Sequence, residues 1–202
     1  TVIAAAALEE KVMTPGSMIY GENGQLSIAN TVIHDHEKTG WMTFAQMIQK
    51  SSNIGAAKVG MALGEWRVFD YLKDFGFGDK TGIDLPGEAV GLLRGPRQWG
   101  KRPLTTISIA QKGGVTPLQM VTAVSAIANG GGLMKPFVVS EIRNAKGQLV
   151  AQTMPQAKRR VISADTARTL TTLMEGVVTN GTGGKAAIPG FRVAGKTGTA
   201  QK

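Results

Sequence analysis

Residues 190–202 read "GFRVAGKTGTAQK", and two motifs overlap in those letters. Gly190-x-x-x-x-Gly195-Lys196-Thr197 matches the phosphate-loop pattern, while Lys196-Thr197-Gly198 is a cationic, hydroxyl-bearing triplet suited to a strand. The residues between the glycines decide between them. Phe191 and Val193 alternate with Arg192, the two-residue period of a strand running into Lys196. A phosphate loop needs glycine-rich freedom there, followed by a helix whose dipole faces the anion. The five residues after Thr197 leave no room for that helix. The stretch therefore predicts a strand. On it, Lys196 supplies a fixed charge, Thr197 and Thr199 supply hydroxyls, and Gly198 lets an extended peptide approach the backbone.

Upstream, Ser51-Ser52-Asn53 sits between two apolar helical stripes. A hydroxyl and an amide at such a junction serve a helix cap or a site, and capping suffices when the triplet is taken singly. The segments around it read mostly as helix. "TVIAAAALEEKV" is Ala-rich and helical, and it starts at full apolar density without a cap, as a cut end would. Residues 13–42 read as loop. Thr43-Phe44-Ala45-Gln46 is a capping box opening a helix to Lys50. Ile54, Ala57 and Met61 carry the next stripe, and a further helix spans Glu65 to Phe75 with Val68, Tyr71, Leu72 and Phe75 on one face.

Residues 76–103, rich in Gly and Pro, predict a long irregular excursion. Thr116-Pro117-Leu118-Gln119 opens a helix with Val121, Val124, Ile127 and Ala128 inward, stopping at Gly130-Gly131-Gly132. Phe137–Ile142 and Gln148–Gln152 predict one hairpin. Ser163 caps a helix whose stripe is Ala167, Leu170, Leu173, Met174 and Val177. These elements predict a mainly helical α+β domain, residues 1–202, with one small hairpin, a terminal strand, no repeats and no linker.

Composition narrows the function. Apolar content of 42% and charged content of 18% describe a globular chain. The net charge is +9, from 23 Lys and Arg against 14 Asp and Glu, but the basic residues are scattered. The densest run, Lys158-Arg159-Arg160, has no aromatic beside it for base stacking, so no nucleic-acid partner is expected. Cysteine is absent, excluding disulfides and thiolate metal sites. The apolar run Val2–Leu8 is far too short to cross a membrane. His34-Asp35-His36-Glu37 alternates side chains as a metal-binding strand would, but lacks a third distant ligand and reads as a solvated turn.

Ser51-Ser52-Asn53 followed far downstream by Lys196-Thr197-Gly198 has the order of one catalytic family. With "QKSSNIGAAKVGMALG" (49–64), "GVTPLQMVTAVSAIANGG" (114–131) and "GFRVAGKTGTAQK", the chain resembles the transpeptidase domain of class B penicillin-binding proteins, septal and sporulation types above all. The resemblance runs over nearly the whole chain. It implies the helical part of the penicillin-binding-protein and beta-lactamase-like fold, with the Lys-Thr-Gly strand present and most of the central sheet missing. It also implies acyl transfer through a serine ester, with peptidoglycan stem peptides as substrates, beta-lactams as inhibitors and no cofactor. Ser51 would relay a proton to the leaving amine, and Asn53 would hold the substrate amide and the catalytic lysine. Lys196 would tune Ser51. Thr197 and Thr199 would bind the substrate carboxylate, with the Thr199 N–H as half of an oxyanion hole and Gly198 giving room.

The family's nucleophile lies in Ser-x-x-Lys, which this chain lacks. Its Thr versions are Thr182-Gly-Gly-Lys185, in a loop, and Thr199-Ala-Gln-Lys202, in the strand. The expectation is an internal fragment with the nucleophile a few residues before Thr1, inactive alone and open to dimerisation through its unpaired strand edge. The parent would sit on the outer, periplasmic face of the cytoplasmic membrane among cell-division membrane proteins. Lys112 in "IAQKGG" (109–114) departs from the family pattern. Two rival readings remain: a non-catalytic penicillin-binding-like sensor, and a beta-lactamase, which ranks lower because no Glu-bearing loop stands out as a base.

Overall fold

The computed structural model describes residues 1–28, 31–99 and 114–198. Helix α1 (Val2–Glu9) lies at the centre, packed against α3 (Asn53–Leu63), α4 (Glu65–Asp74) and α6 (Ala164–Asn180). Ala4, Ala5, Ala6 and Ala7 are all buried. Four consecutive residues at 100° each cover the whole helix circumference, so α1 is enclosed, and methyl-sized side chains let its neighbours approach closely. Its amino end has no side-chain cap. Glu9 and Glu10 anchor its other end. Glu9 accepts from the Ser163 N–H at 3.0 Å and its hydroxyl at 2.8 Å, and Glu10 accepts from the Tyr71 hydroxyl at 2.8 Å.

The capped helices form where their sequences predict. Helix α2 (Phe44–Lys50) opens on the Thr43–Gln46 box, α5 (Pro117–Ala128) on the Thr116–Gln119 box, and α6 on Ser163. Helix α6 buries Ala167, Leu170, Leu173, Met174 and Val177, the predicted stripe, against α1, α2 and α5. In α4, Val68 and Tyr71 are buried, and Phe75 is the buried residue that ends it.

Helix α5 turns a different face inward. Val121 is 60% exposed and Val124 39%, while Gln119, Thr122, Ala123, Ala126 and Ile127 are buried. The buried set is a complete i, i+3, i+4, i+7, i+8 stripe, anchored by a polar residue. The Gln119 amide donates to the carbonyls of Asp79 at 2.8 Å and Val90 at 3.0 Å. A buried amide with all its bonds made outweighs the branched residues on the other face. In α3, Ile54 and Ala57 are buried but Met61 is 42% exposed.

The strands depart most from expectation. The described residues form four two-stranded antiparallel sheets rather than one hairpin. Residues 13–42, predicted as loop, contain β1 (Met18–Tyr20), β2 (Gln25–Ile28) and β3 (Thr31–His34); β1 pairs with β4 (Trp41–Thr43), and β2 with β3 inside it. The second half repeats this nesting. The outer ribbon is β5 (Gly132–Lys135) with β8 (Gln156–Arg160), and the inner is β6 (Glu141–Arg143) with β7 (Leu149–Gln152). The predicted hairpin is β6 with β7, and the other strands, three to five residues long, are too short for alternation to announce. The predicted strand from Phe137 begins only at Glu141. The Val138 and Val139 N–H groups donate to the Asp84 carboxylate at 2.8 and 3.0 Å, which takes them out of any ladder.

Residues 191–198 form no strand. A ladder needs a partner, and no described strand pairs with this segment; instead the Gly195 N–H donates to the Met174 carbonyl of α6 at 3.2 Å. The basic run 158–160 serves as a set of latches. Lys158 donates to the carbonyls of Lys80 and Thr81, Arg159 to those of Lys73 and Asp74 at the end of α4, and Arg160 to that of Gly130. Residues 76–99 are irregular apart from the short turn Pro96–Gln98 and a lone antiparallel bridge of Leu92 to Gly114; residues 100–103 of that predicted excursion, and Lys112, lie outside the described residues. No helix among the described residues is long and apolar enough to cross a membrane.

Candidate active site

The junction of α2 and α3 is two residues long. Ser51 ends α2 in the left-handed conformation (φ 57°, ψ 40°), and Ser52 caps α3, accepting from the Gly55 N–H at 2.9 Å. A serine at positive φ is uncommon and persists only where its surroundings over-determine it. They do so here from both sides. The Ser51 and Ser52 N–H groups close onto the carbonyls of Ile48 and Met47. From the end of β3, the Asp35 carboxylate accepts from the Ser52 hydroxyl and the Asn53 N–H, both at 2.5 Å, and from the Ile54 N–H at 3.0 Å.

Asp35 is thus an anion on the first turn of α3, where unpaired N–H groups and the helix dipole favour negative charge. It is the carboxylate of the predicted solvated turn, and the structure gives it a specific task. Among the described residues no three metal-binding side chains gather.

Lys196 reaches this corner from the other end of the chain. Its ammonium donates to the Ser51 hydroxyl at 2.5 Å and to the Thr197 carbonyl at 3.0 Å. The lysine is half-buried, and burial lowers its pKa from the ordinary 10.5. A desolvated cation against a hydroxyl oxygen stabilises negative charge developing there far better than one in water.

The predicted residues fall into place unevenly. Ser51, Lys196 and Thr197 come together. Asn53 is one residue beyond the corner, with its side-chain amide donating to the His34 carbonyl at 3.0 Å rather than meeting Lys196. Gly198 is exposed with open space around it. Thr199 lies outside the described residues.

Two further residues belong to the corner. Thr182, in the turn after α6, donates its N–H to the Gln49 carbonyl at 3.1 Å, and its hydroxyl lies 2.7 Å from that of Thr197. Gly181 makes this possible, because a Cβ there would run into the Gln49 carbonyl. Nothing local reveals Asp35 or Thr182, whose partners lie 17 and 133 residues away; only the acidic residue ending a strand, and the Gly-Thr-Gly turn after a helix, hint at them.

The family model of the penicillin binding protein transpeptidase domain matches residues 1–202. The chain is 39% identical to Stage V sporulation protein D of Bacillus subtilis, over 99% of this chain and 31% of that protein. It is 32% identical to the peptidoglycan D,D-transpeptidase FtsI of Escherichia coli, over 87% of this chain and 30% of that protein. It therefore spans about a third of the length of these curated relatives. Among solved structures, penicillin binding protein 3 of Mycobacterium tuberculosis superposes with a TM-score of 0.89 at 33% identity, over 100% of this chain and 47% of that one. That protein has also been solved in complexes with aztreonam and with ampicillin. A fold, a serine–lysine corner and a match over the full chain agree: the chain belongs to the penicillin binding protein transpeptidase domain family, in its class B branch.

Proposed function

We propose that this chain is the part of a peptidoglycan D,D-transpeptidase that carries two of its three catalytic motifs, in a protein that cross-links stem peptides by acyl transfer and is acylated by beta-lactams. The contact of Lys196 with Ser51 carries the reading. In it, a serine from Ser-x-x-Lys, supplied by residues leading into α1, attacks the D-Ala-D-Ala carbonyl. The terminal D-Ala leaves as an amine, and a second stem-peptide amine takes the acyl group. Ser51 passes a proton to the leaving amine, a task requiring hydrogen-bond contact. Lys196 holds the Ser51 oxygen in the polarity that accepts and returns that proton, Asn53 positions the substrate amide, and Thr197, Gly198 and Thr199 receive the substrate's carboxylate end.

Two observations support this reading: the Ser51 turn and Lys196 meet at one corner, and α1 packs against α3, the helix that starts beside that corner. The same reading puts the parent on the outer face of the cytoplasmic membrane beside division proteins, and puts most of the central sheet outside this chain. It leaves residues 191–198 able to pair with a second copy.

A fluorescent penicillin tests it. The whole protein should form a covalent adduct, and the 202 residues alone should form none; an adduct on the latter overturns the assignment of the nucleophile. Lys196→Met in the whole protein should cut acylation by at least ten-fold. Because burial lowers the lysine's pKa, its charge is lost at lower pH than a free lysine's, and the alkaline limb of the acylation rate should fall below pH 10.5. An unchanged limb in Lys196→Met assigns that titration to another group. A whole protein that binds penicillin without an adduct favours the non-catalytic sensor.

A further inference from the structure

The loop after α6 takes part in none of the chemistry above, yet it closes a ring around the corner. Gln49 in α2 is two residues ahead of Ser51; Ser51 accepts from Lys196; Lys196 is followed by Thr197; the Thr197 hydroxyl meets that of Thr182; and Thr182 returns to the Gln49 carbonyl. The backbone of this loop is pinned on both sides. The Gly183 N–H donates to the Val177 carbonyl at 2.9 Å, and Gly181 lies flat on Gln49.

Each threonine hydroxyl has one proton and two lone pairs. The Thr182 proton has two takers, the Gln49 carbonyl at 3.4 Å and the Thr197 oxygen at 2.7 Å. The 2.7 Å bond forms with either hydroxyl donating, and only one sense, Thr182 donating to Thr197, leaves the Thr197 proton free for an acceptor bound beside it. The opposite sense, with Thr197 donating to Thr182, would turn a lone pair toward whatever binds beside it. A carboxylate only accepts hydrogen bonds, so the two senses differ between attraction and repulsion.

We propose that Thr182 is a positioning residue that sets the donor sense of the Thr197 hydroxyl and so selects substrates with a free carboxylate beside the scissile bond. The inference rests on the acyl-transfer reading above and deepens it.

The test uses the whole protein and two probes, a penicillin with its free carboxylate and the methyl ester of the same compound. Acylation rates are measured for the parent, Thr182→Val, Thr182→Ala and Thr182→Ser. Thr182→Val should lower the rate with the free acid about ten-fold, the worth of one charge-assisted hydrogen bond, and the rate with the ester much less. The acid-to-ester ratio therefore collapses. Thr182→Ala, which adds no branched group at the turn, must show the same collapse, and Thr182→Ser must restore the ratio. Equal slowing of both probes means that Thr182 only holds the loop, which overturns the inference and leaves acyl transfer standing. A parent protein acylated by neither probe overturns both.

Discussion

Asp35 offers the sharpest test of how the corner is built. Its Oδ1 accepts the Asn53 and Ile54 N–H groups, and its Oδ2 accepts the Ser52 hydroxyl. Replacement by Ala removes three hydrogen bonds to an ionised acceptor, each worth about 1.5–3 kcal/mol when fully shielded. Asp35 is half-buried, water replaces part of the loss, and Ser52 still caps Gly55, so Asp35→Ala should cost about 3 kcal/mol in all. For a chain of this size that is a fall in melting temperature of about 6–12 °C. Asp35→Asn keeps an oxygen for the two N–H groups and offers its amide to the Ser52 oxygen, so only the charge at the helix end is lost, about 1 kcal/mol. Thermal and urea unfolding at neutral pH read both values. An Asp35→Ala variant within 1 kcal/mol of the parent, or an Asp35→Asn variant as damaged as Asp35→Ala, would refute the account of the Ser51 turn as a strained residue clamped by an anion.

Two other substitutions probe the supports. Gly181→Ala should destabilise by about 1–3 kcal/mol through overpacking on the Gln49 carbonyl; its φ of −129° suits any residue, so the cost is steric. Gly184→Ala, whose Cβ would meet nothing nearer than 3.8 Å, should stay within about 0.5 kcal/mol in the same urea titration. Burial alone would raise the Glu9 carboxyl, but hydrogen bonds from Thr166 and Ser163, with the Arg160 charge, outweigh it and hold its pKa below 4.5. A depressed carboxyl contributes stability above its unfolded pKa and loses it as pH falls through the folded one. Glu9→Gln should thus be less stable than the parent by about 1–2 kcal/mol at pH 7, with the gap closing below about pH 4; a gap independent of pH would show that the charge contributes nothing.

Elements with a chemical start and a full apolar period were legible in the chain. The boxes at Thr43 and Thr116 and the cap at Ser163 mark helix starts because the side chain that satisfies the orphan N–H groups lies within three residues of them. The stripe of α6 is read correctly because its one buried polar residue, Thr166, lies on the same face as the apolar ones. In α5 the same reasoning picks the wrong face, since the bonds from Gln119 to Asp79 and Val90 are made across 40 and 29 residues. The hairpin of β6 and β7 is legible from its turn, whereas the other short strands escape because their pairing is decided by partners, not by their own alternation.

The candidate site divides along the same line. Side-chain chemistry, local capping and motif order are legible in the chain, and with the family resemblance they single out Ser51, Asn53, Lys196, Thr197, Gly198 and Thr199. The 2.5 Å approach of Lys196 to Ser51 spans 145 positions, and the anchoring of that corner by Asp35 and Thr182 is equally remote. The 191–198 segment makes the point from the other side, for its alternation is that of a strand and its backbone forms none. Periodicity records which faces a segment can offer; contact, pairing and the direction of a shared proton depend on what the rest of the chain brings against them.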